Sequence, residues 1–359
     1  MASTNYTYDQ LYTFSENIFK SIGCSAEHAA TATKTLLSAD LRGIDSHGIA
    51  RLSGYVRLWE AKRVNATPDI KVIHETPSTA VVDGDSGLGL VVAPFAMKIA
   101  IEKAKQVGTG WVSVQHSNHF GIAGYHAMMA LEHDMIGVAM TNASPLVAPT
   151  FSIDKMLGTN PICVAAPAGK EPAFVADLAT TTAANGKLEI LQRKNADTPD
   201  GWVQDEAGNP TNDANILKKG GALLPLGGDR EHGSHKGYAL GAVVDIFSAL
   251  LSGANYAPWV PPFPAYVPMP VQQPGKGIGH FLGAMRVDAF RPADEFKAAM
   301  DHWIQGFRSA RTVPGEEKVL VPGDPEREYE AERMANGIPL LEPVVKDLQQ
   351  LAQRFSIPF

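Results

Sequence analysis

The segment Ala80-Val-Val-Asp-Gly-Asp-Ser-Gly-Leu-Gly89 decides how the rest of this chain is read. A β-rich run ends in a glycine turn, and Val91 to Val107 follows with a helical apolar pattern closed by Gly108. A dinucleotide-binding Rossmann loop has this order of strand, glycine loop and helix. It also needs Gly-x-Gly-x-x-Gly, whose last glycine seats the helix against the strand. Here Gly84, Gly87 and Gly89 reverse that spacing and Val92 occupies the third place. The spacing argues against an ordinary Rossmann site, and Gly-Lys-Ser/Thr of a Walker loop does not occur.

On the N-terminal side, residues 8 to 38 read as two amphipathic helices broken at Ser21 to Ser25, the second opened by Ser25. On the C-terminal side, short β-rich runs (110–114, 136–140, 162–165, 174–176) alternate with helices and glycine turns, the texture of an α/β unit. A long helix is expected over 237–252. Residues 256–277 hold seven prolines among aromatics and read as a loop or polyproline-like arm, packing Trp259, Phe263 and Tyr266 on the body or on a partner. It could also lid a cleft. Residues 293–311 and the tail return to helix.

With 359 residues the chain can fill a large core and divide into two lobes. A 45% hydrophobic and 19% charged composition is ordinary for a soluble enzyme. The net charge of -7 argues against a generic nucleic-acid or anionic-membrane binder. Neither a signal peptide nor an apolar run of membrane-spanning length is read, so a cytoplasmic protein is expected. Cys24 and Cys163 are too few for a disulfide framework and read as reduced thiols.

The run Asp40-Leu-Arg-Gly-Ile-Asp-Ser-His-Gly-Ile-Ala-Arg-Leu52 carries the chemistry. If it is helical from about His47, the i, i+4 spacing puts His47 and Arg51 on one face about 6 Å apart, with Leu52, Val56 and Trp59 on another. That face offers a proton carrier and a carboxylate clamp. The rival reading is a helix cap followed by a partly exposed histidine and a solvated arginine. His116, His119, His126 and His133 lack Cys, Asp or Glu partners at ligand intervals, so no metal is expected. His119 is better used lining a polar pocket at a helix start. Asp177 to Lys187 joins a strand-end aspartate to hydroxyl-rich residues suited to ribose hydroxyls or phosphate. His235-Lys236-Gly237 places a cation just before a helix.

Together Asp40 to Leu52, Ser117-Asn-His-Phe-Gly121, Leu157-Gly-Thr-Asn-Pro161, Asp177-Leu-Ala-Thr180 and His235-Lys-Gly-Tyr238 resemble, in order and spacing, the type-2 malate/L-lactate dehydrogenase family. That family also holds sulfolactate, ureidoglycolate and diketogulonate oxidoreductases and a cyclic imino acid reductase. The resemblance implies an α/β fold with a large mixed, mostly antiparallel sheet and flanking helices, which is not Rossmann. It implies a helical substrate lobe from both termini, taken as 1–75 and 292–359, and an NAD(P)-binding unit over 76–291. A homodimer is implied, with NAD or NADP as cofactor and a small carboxylate as substrate.

Carried over by motif, His47 resembles the proton donor and acceptor, Ser46 its hydrogen-bonding companion, Arg51 the carboxylate ligand and His119 a second active-site histidine. Thr159 and Asn160 fall on substrate positions. The cofactor is expected at Asn142, Ala143 and Ser144, at Asp177, Leu178 and Ala179, at Lys187, at His235, Lys236 and Gly237, and at the turn Pro322-Gly323-Asp324. The chain departs from the family pattern at Ala148 to Lys155, in the proline-rich arm, at Ile44 and at Asp324, one methylene shorter than the frequent glutamate. The implied reaction interconverts a 2-hydroxy and a 2-oxo acid: hydride passes at C2 while a histidine, of ordinary pKa ~6.5, moves the proton. Reduction of a cyclic imino acid or a sugar-derived diketo acid on the same scaffold, or a non-catalytic nucleotide-binding protein, are the alternatives.

Overall fold

A capping box opens the first helix: Gln10 N–H donates to the Thr7 hydroxyl, and Thr7 N–H donates to the Gln10 side chain. In the computed structural model, which describes residues 3 to 359, strand β1 (Ser3–Tyr6) precedes that helix, α1 (Tyr8–Ser21). Ser25 then caps α2 (Ala26–Leu41) through His28 N–H, at the expected break. After a turn come α3 (Leu52–Glu60), β2 (Lys71–Glu75), β3 (Thr79–Asp83), α4 (Gly89–Val107), β4 (Thr109–Ser117), α5 (Ala123–Met128), β5 (Met135–Thr141), β6 (Ile162–Ala166) and β7 (Phe174–Leu178). The chain continues through α6 (Asn185–Lys194), β8 (Val203–Gln204), β9 (Pro210–Thr211), β10 (Ala222–Leu223), α7 (Ser234–Asp245) and β11 (Ile278–Arg286). It closes with α8 (Ala293–Arg308), α9 (Asp324–Asn336), β12 (Ile338–Leu341) and α10 (Glu342–Phe355).

Seven strands form the main sheet in the order β2-β3-β4-β11-β5-β6-β7, and only β3 and β4 run parallel. That pair is joined by α4, so the Rossmann-like appearance of residues 80–107 marks one βαβ crossover inside a mostly antiparallel sheet. The glycine loop there cannot cradle a phosphate in the usual way. Gly84 N–H donates to Gln115 O, Ser86 N–H to His116 O and Gly87 N–H to Gly84 O, so these donors are spent on the end of β4 and within the loop itself.

Both termini build the helical unit. β1 pairs antiparallel with β12, while Leu11, Ile18, Leu36, Leu52, Tyr55 and Leu348 share one buried core. A second core lies between α4 and the sheet, and a third, around Val147, Leu188, Val203 and Leu223, closes the small β10-β8-β9 sheet. Two segments inside the expected helical-lobe ranges 1–75 and 292–359 pack on the α/β unit. β2 pairs with β3 in the main sheet. α8 docks on the α/β unit: its Asp301 accepts from the N–H groups of Gly169, Lys170 and Glu171, and Trp303 meets Phe174 edge to face. The long helix begins earlier than expected, at Ser234, and loosens into a π-turn over Ile246–Leu250.

The largest local correction concerns His47. Residues 42–48 form a turn, and the chain becomes helical only at a 3-10 turn, Ile49–Arg51, that runs into α3. The cause is Asp40, which α2 holds in the interior. Its carboxyl accepts Ile49 N–H at 2.7 Å and caps the new helix from outside the local sequence. A Cβ on Gly48 would lie 2.1 Å from that carboxyl, so only glycine fits beside it. Arg333 of α9 donates to Asp40 O and to the Asp45 carboxylate, closing the turn from the other side.

Burial pushes the Asp40 acid from an ordinary 3.8 up to about 8; the Ile49 N–H opposes this, the Asp45 charge adds to it and Arg333 opposes it. The folded state therefore keeps a proton that the unfolded chain releases, a contribution full below about pH 4 and lost as pH rises through about 8. Asp40→Asn, which keeps an oxygen for Ile49, is expected to stay folded and to flatten the fall in stability between pH 5 and 8.5, read by urea unfolding at each pH. An unchanged slope would contradict this protonation state.

Candidate active site

The Asp40-held turn aims His47 into a cleft of about 550 Å³ between the helical unit and the adjoining amino end of β6 and carboxyl end of β7. Ser46 Oγ lies 2.9 Å from His47 Nδ1. The His47 ring stacks on His119 with centroids 5.6 Å apart. Burial, with the Arg51 charge added, lowers His47 to about 4, so its imidazole is neutral near pH 7.

His119 follows β4 in the loop that enters α5. Its Nδ1 lies 2.7 Å from the Tyr55 hydroxyl and accepts Gly121 N–H at 3.3 Å. Burial holds the Tyr55 phenol far above its ordinary pKa, so that hydroxyl keeps its proton and donates. With Nδ1 accepting, the proton of a neutral His119 sits on Nε2. Burial first, then mutual coupling with the His47 ring and the Arg51 charge, hold His119 well below its ordinary pKa.

Arg51 does not share a helix face with His47. Its Nε donates to Ser46 O at 2.6 Å, and its Nη2 lies 3.5 Å from Glu189 of α6. It lines an adjoining pocket of about 400 Å³ together with Arg57, Arg193 and Glu189, and Ser46 lines both spaces. A Cβ on Gly186 would meet Ser46 at 2.4 Å, so α6 packs its first turn directly against the Ser46 turn.

Thr159, Asp177, Leu178, Ala179 and Lys187 all line the cleft with Ser46 and His47. Asp177 accepts Gly124 N–H at 2.7 Å, and burial raises its acid to about 6, against that hydrogen bond and Arg42 and with Glu326. Lys187 is exposed, 5.8 Å from the Trp202 ring. The other expected positions stand outside. Asn142 spends its side chain on Asp245, Asn255 O and Gly279 N–H, and Asn160 bridges Ala143 N–H and Gly241 O. Ser144 Oγ accepts Phe263 N–H, Ala143 packs against Gly158, and His235 pairs with Arg230. Lys236 is exposed beside Gly233, and Gly237 packs against the Leu226 backbone. In the Pro322-Gly323-Asp324 turn, Pro322 O accepts Val175 N–H and Asp324 is held by Arg308 and Arg327. Two residues later, Glu326 does reach the cleft.

The sequence does not single out Tyr55, Glu189 or Glu326, and it marks Phe263 only as an arm aromatic that packs on the body or on a partner. Tyr55 and Glu189 follow Arg51 and Asn185 by one helical turn and could have been found by i, i+4 reading. Phe263 had no such signal. It lies in the proline-rich arm, where Arg63 ties down the carbonyls of Pro262 and Pro264, and its ring contacts Tyr55, His119 and the Arg51 guanidinium at centroid distances of 5.3, 4.9 and 5.9 Å. The ring sits over Gly54, where a Cβ would be 2.8 Å away. Tyr266, by contrast, is exposed. The Ala148 to Lys155 departure forms a surface excursion closed by Val147 and Leu157, away from the cleft.

A family model described as malate/L-lactate dehydrogenase matches residues 6–349. The chain belongs to this family. It is 41% identical over 350 residues to a malate dehydrogenase of Pyrococcus horikoshii, covering 97% of this chain and 95% of that one. It is 38% identical over 340 residues to a malate/(S)-sulfolactate dehydrogenase of Methanothermus fervidus, covering 95% of each. The solved malate dehydrogenase of Entamoeba histolytica superposes with a TM-score of 0.93 at 33% identity, over 100% of this chain and 99% of that one. As a malate/L-lactate dehydrogenase family member, the chain is an oxidoreductase that interconverts a 2-hydroxy and a 2-oxo acid with a nicotinamide cofactor. Among the described residues no helix is long and apolar enough to cross a membrane.

Phe263 is expected to matter for catalysis because it closes the histidine stack on one side. Phe263→Ala should lower kcat/KM for the hydroxy acid about tenfold, as a loosened site loses orientation, and Phe263→Leu should recover most of it. Steady-state kinetics of both variants read this, and unchanged kinetics in F263A would remove the arm from the site.

Proposed function

We propose that the turn Ser46-His47 moves the proton and Arg51 holds the carboxylate of a 2-hydroxy acid carrying a second anionic group, as malate and sulfolactate do. The observation that carries the proton assignment is the neutral His47, hydrogen-bonded to Ser46 and stacked on His119 at the mouth of the cleft. With Nδ1–H donating to Ser46 Oγ, the Nε2 lone pair is free to take the proton of the substrate hydroxyl during oxidation. His119 Nε2–H donates to the same oxygen and stabilises charge there. In reduction His47 returns the proton.

The anionic substrate displaces Glu189 from its loose 3.5 Å contact with Arg51, whose fork then binds one carboxylate in two places. Arg57 and Arg193, in an adjoining pocket that also holds Asp45, Glu189 and Asp347, would meet a second anionic group, a chemistry shared by the substrates named in the malate and sulfolactate relatives. The cleft's donor set fits a dinucleotide. Asp177, Thr181, Thr182 and Glu326 would meet ribose hydroxyls, exposed Leu178 would lie against a ring, and Lys187 would meet a phosphate. When bound, the nicotinamide ring supplies or accepts the hydride at C2.

A homodimer is part of the same reading. On α7 and its π-turn, Tyr238, Leu240, Val243, Ile246, Phe247 and Leu250 are all exposed, an apolar face suited to a second copy. A cytoplasmic setting accords with Cys24 and Cys163, both buried free thiols.

The test assays malate, lactate and sulfolactate with NAD and NADP, comparing wild type with His47→Gln. The variant should bind cofactor normally, by nucleotide fluorescence, and lose about 100-fold or more in kcat. Full turnover in H47Q would overturn the proton assignment, and lactate outperforming malate would overturn the second anionic group.

A further inference from the structure

The glycine loop that does not bind a dinucleotide carries a different constellation. Ser86 Oγ lies 2.7 Å from His116 Nε2, and His116 Nδ1 lies 2.9 Å from Asp83 Oδ1. The carboxylate can only accept, so Nδ1 holds the imidazole proton and the Nε2 lone pair accepts the Ser86 hydroxyl. This is the connectivity that activates a serine nucleophile: base against hydroxyl, carboxylate against base. Asp83 is itself oriented, accepting Asp85 N–H at 2.9 Å on Oδ1 and Gln115 Nε2 at 3.0 Å on Oδ2.

Two further features set the cluster apart from an ordinary turn lock. Ser86 and His116 both have positive φ, 57° and 56°, a backbone conformation uncommon outside glycine and associated with functional sites. Ser86 also opens onto a cavity of about 500 Å³ that it shares with Trp59, Asp85 and Lys62, the one cation in the lining. That cavity has no residue in common with the dehydrogenase cleft.

We propose that Ser86, His116 and Asp83 form a second, hydrolytic site that accepts small acyl esters. Ser86 Oγ bonds to the acyl carbonyl carbon while its proton passes to His116 Nε2, and the Asp83 carboxylate steadies the imidazolium. Lys62, in the lining of the same cavity, is the cation available to the oxygen charge that develops. The bond from acyl carbon to the alcohol oxygen then breaks, and His116 gives its proton to the departing alcohol. Water attacks the acyl-serine by the same route, with His116 taking its proton and returning it to Ser86 as the free acid leaves.

Treatment of the full-length protein with p-nitrophenyl acetate tests this, read by nitrophenolate release and by peptide mass mapping. Wild type should hydrolyse the ester and show an acetyl group on Ser86. Ser86→Gly and His116→Asn both tolerate positive φ, and each should lower the release rate about 100-fold or more while dehydrogenase turnover is retained. Absence of acetylation at Ser86 in wild type, or an H116N rate equal to wild type, would overturn the site. If H116N also loses dehydrogenase turnover, S86G decides: retained ester hydrolysis there overturns the site, and its loss with intact dehydrogenase turnover supports it.

Discussion

The Asp40 carboxyl and the Ile49 N–H make the contact on which the site depends. α2 delivers Asp40 into the interior, where it stops the Ser46-His47 turn from continuing as helix and starts the 3-10 turn that leads into α3. Without it a buried N–H would lack a partner, a loss of about 1–3 kcal/mol. The larger consequence is geometric. With the helix begun at Ile49, His47 stays outside it and stacks on His119. The carboxyl, Gly48 and Arg333 tie α2, the turn that follows it and the distant α9 into one support.

From that support follows a division of labour between charged and neutral groups. Both histidines are kept uncharged near neutral pH by burial and by the Arg51 guanidinium, so the cation density at the substrate comes from arginine and not from imidazole. Tyr55 extends the arrangement: a phenol that keeps its proton assigns the His119 tautomer and fixes which nitrogen faces inward. Phe263 covers the stack from the proline-rich arm through its contacts with Tyr55 and His119.

The mostly antiparallel sheet and the helical unit from both termini were legible, because the misplaced glycines of 84–89 argue against Rossmann and the five ordered motifs imply the alternative. The Ser46, His47 and His119 grouping was legible as a set of residue types, as was Asp177 to Lys187 at the cleft. The geometry was not. A helix beginning at His47 is the natural reading of local spacing, and it is displaced by groups that tertiary packing delivers: the Asp40 carboxyl seven residues upstream and Arg333 from α9. Asn142 and Asn160 show the same limit: polar residues beside strands serve a ligand or a buried network equally well by sequence, and here they bridge backbone inside the protein. The proline-rich arm has no periodicity to reveal which aromatic turns inward, and its contacts with Tyr55 and His119 exist only in three dimensions.

The central claim is that a neutral imidazole at His47 stands ready at the cleft. Titration of the ring by heteronuclear NMR, with the His47 signal assigned by its absence in a His47→Gln sample, measures this directly in the free protein. The account predicts a resonance that stays neutral from pH 8 down to pH 5.5 and titrates near 4. A midpoint at an unperturbed ~6.5 would mean an exposed histidine on an ordinary turn, and would contradict it.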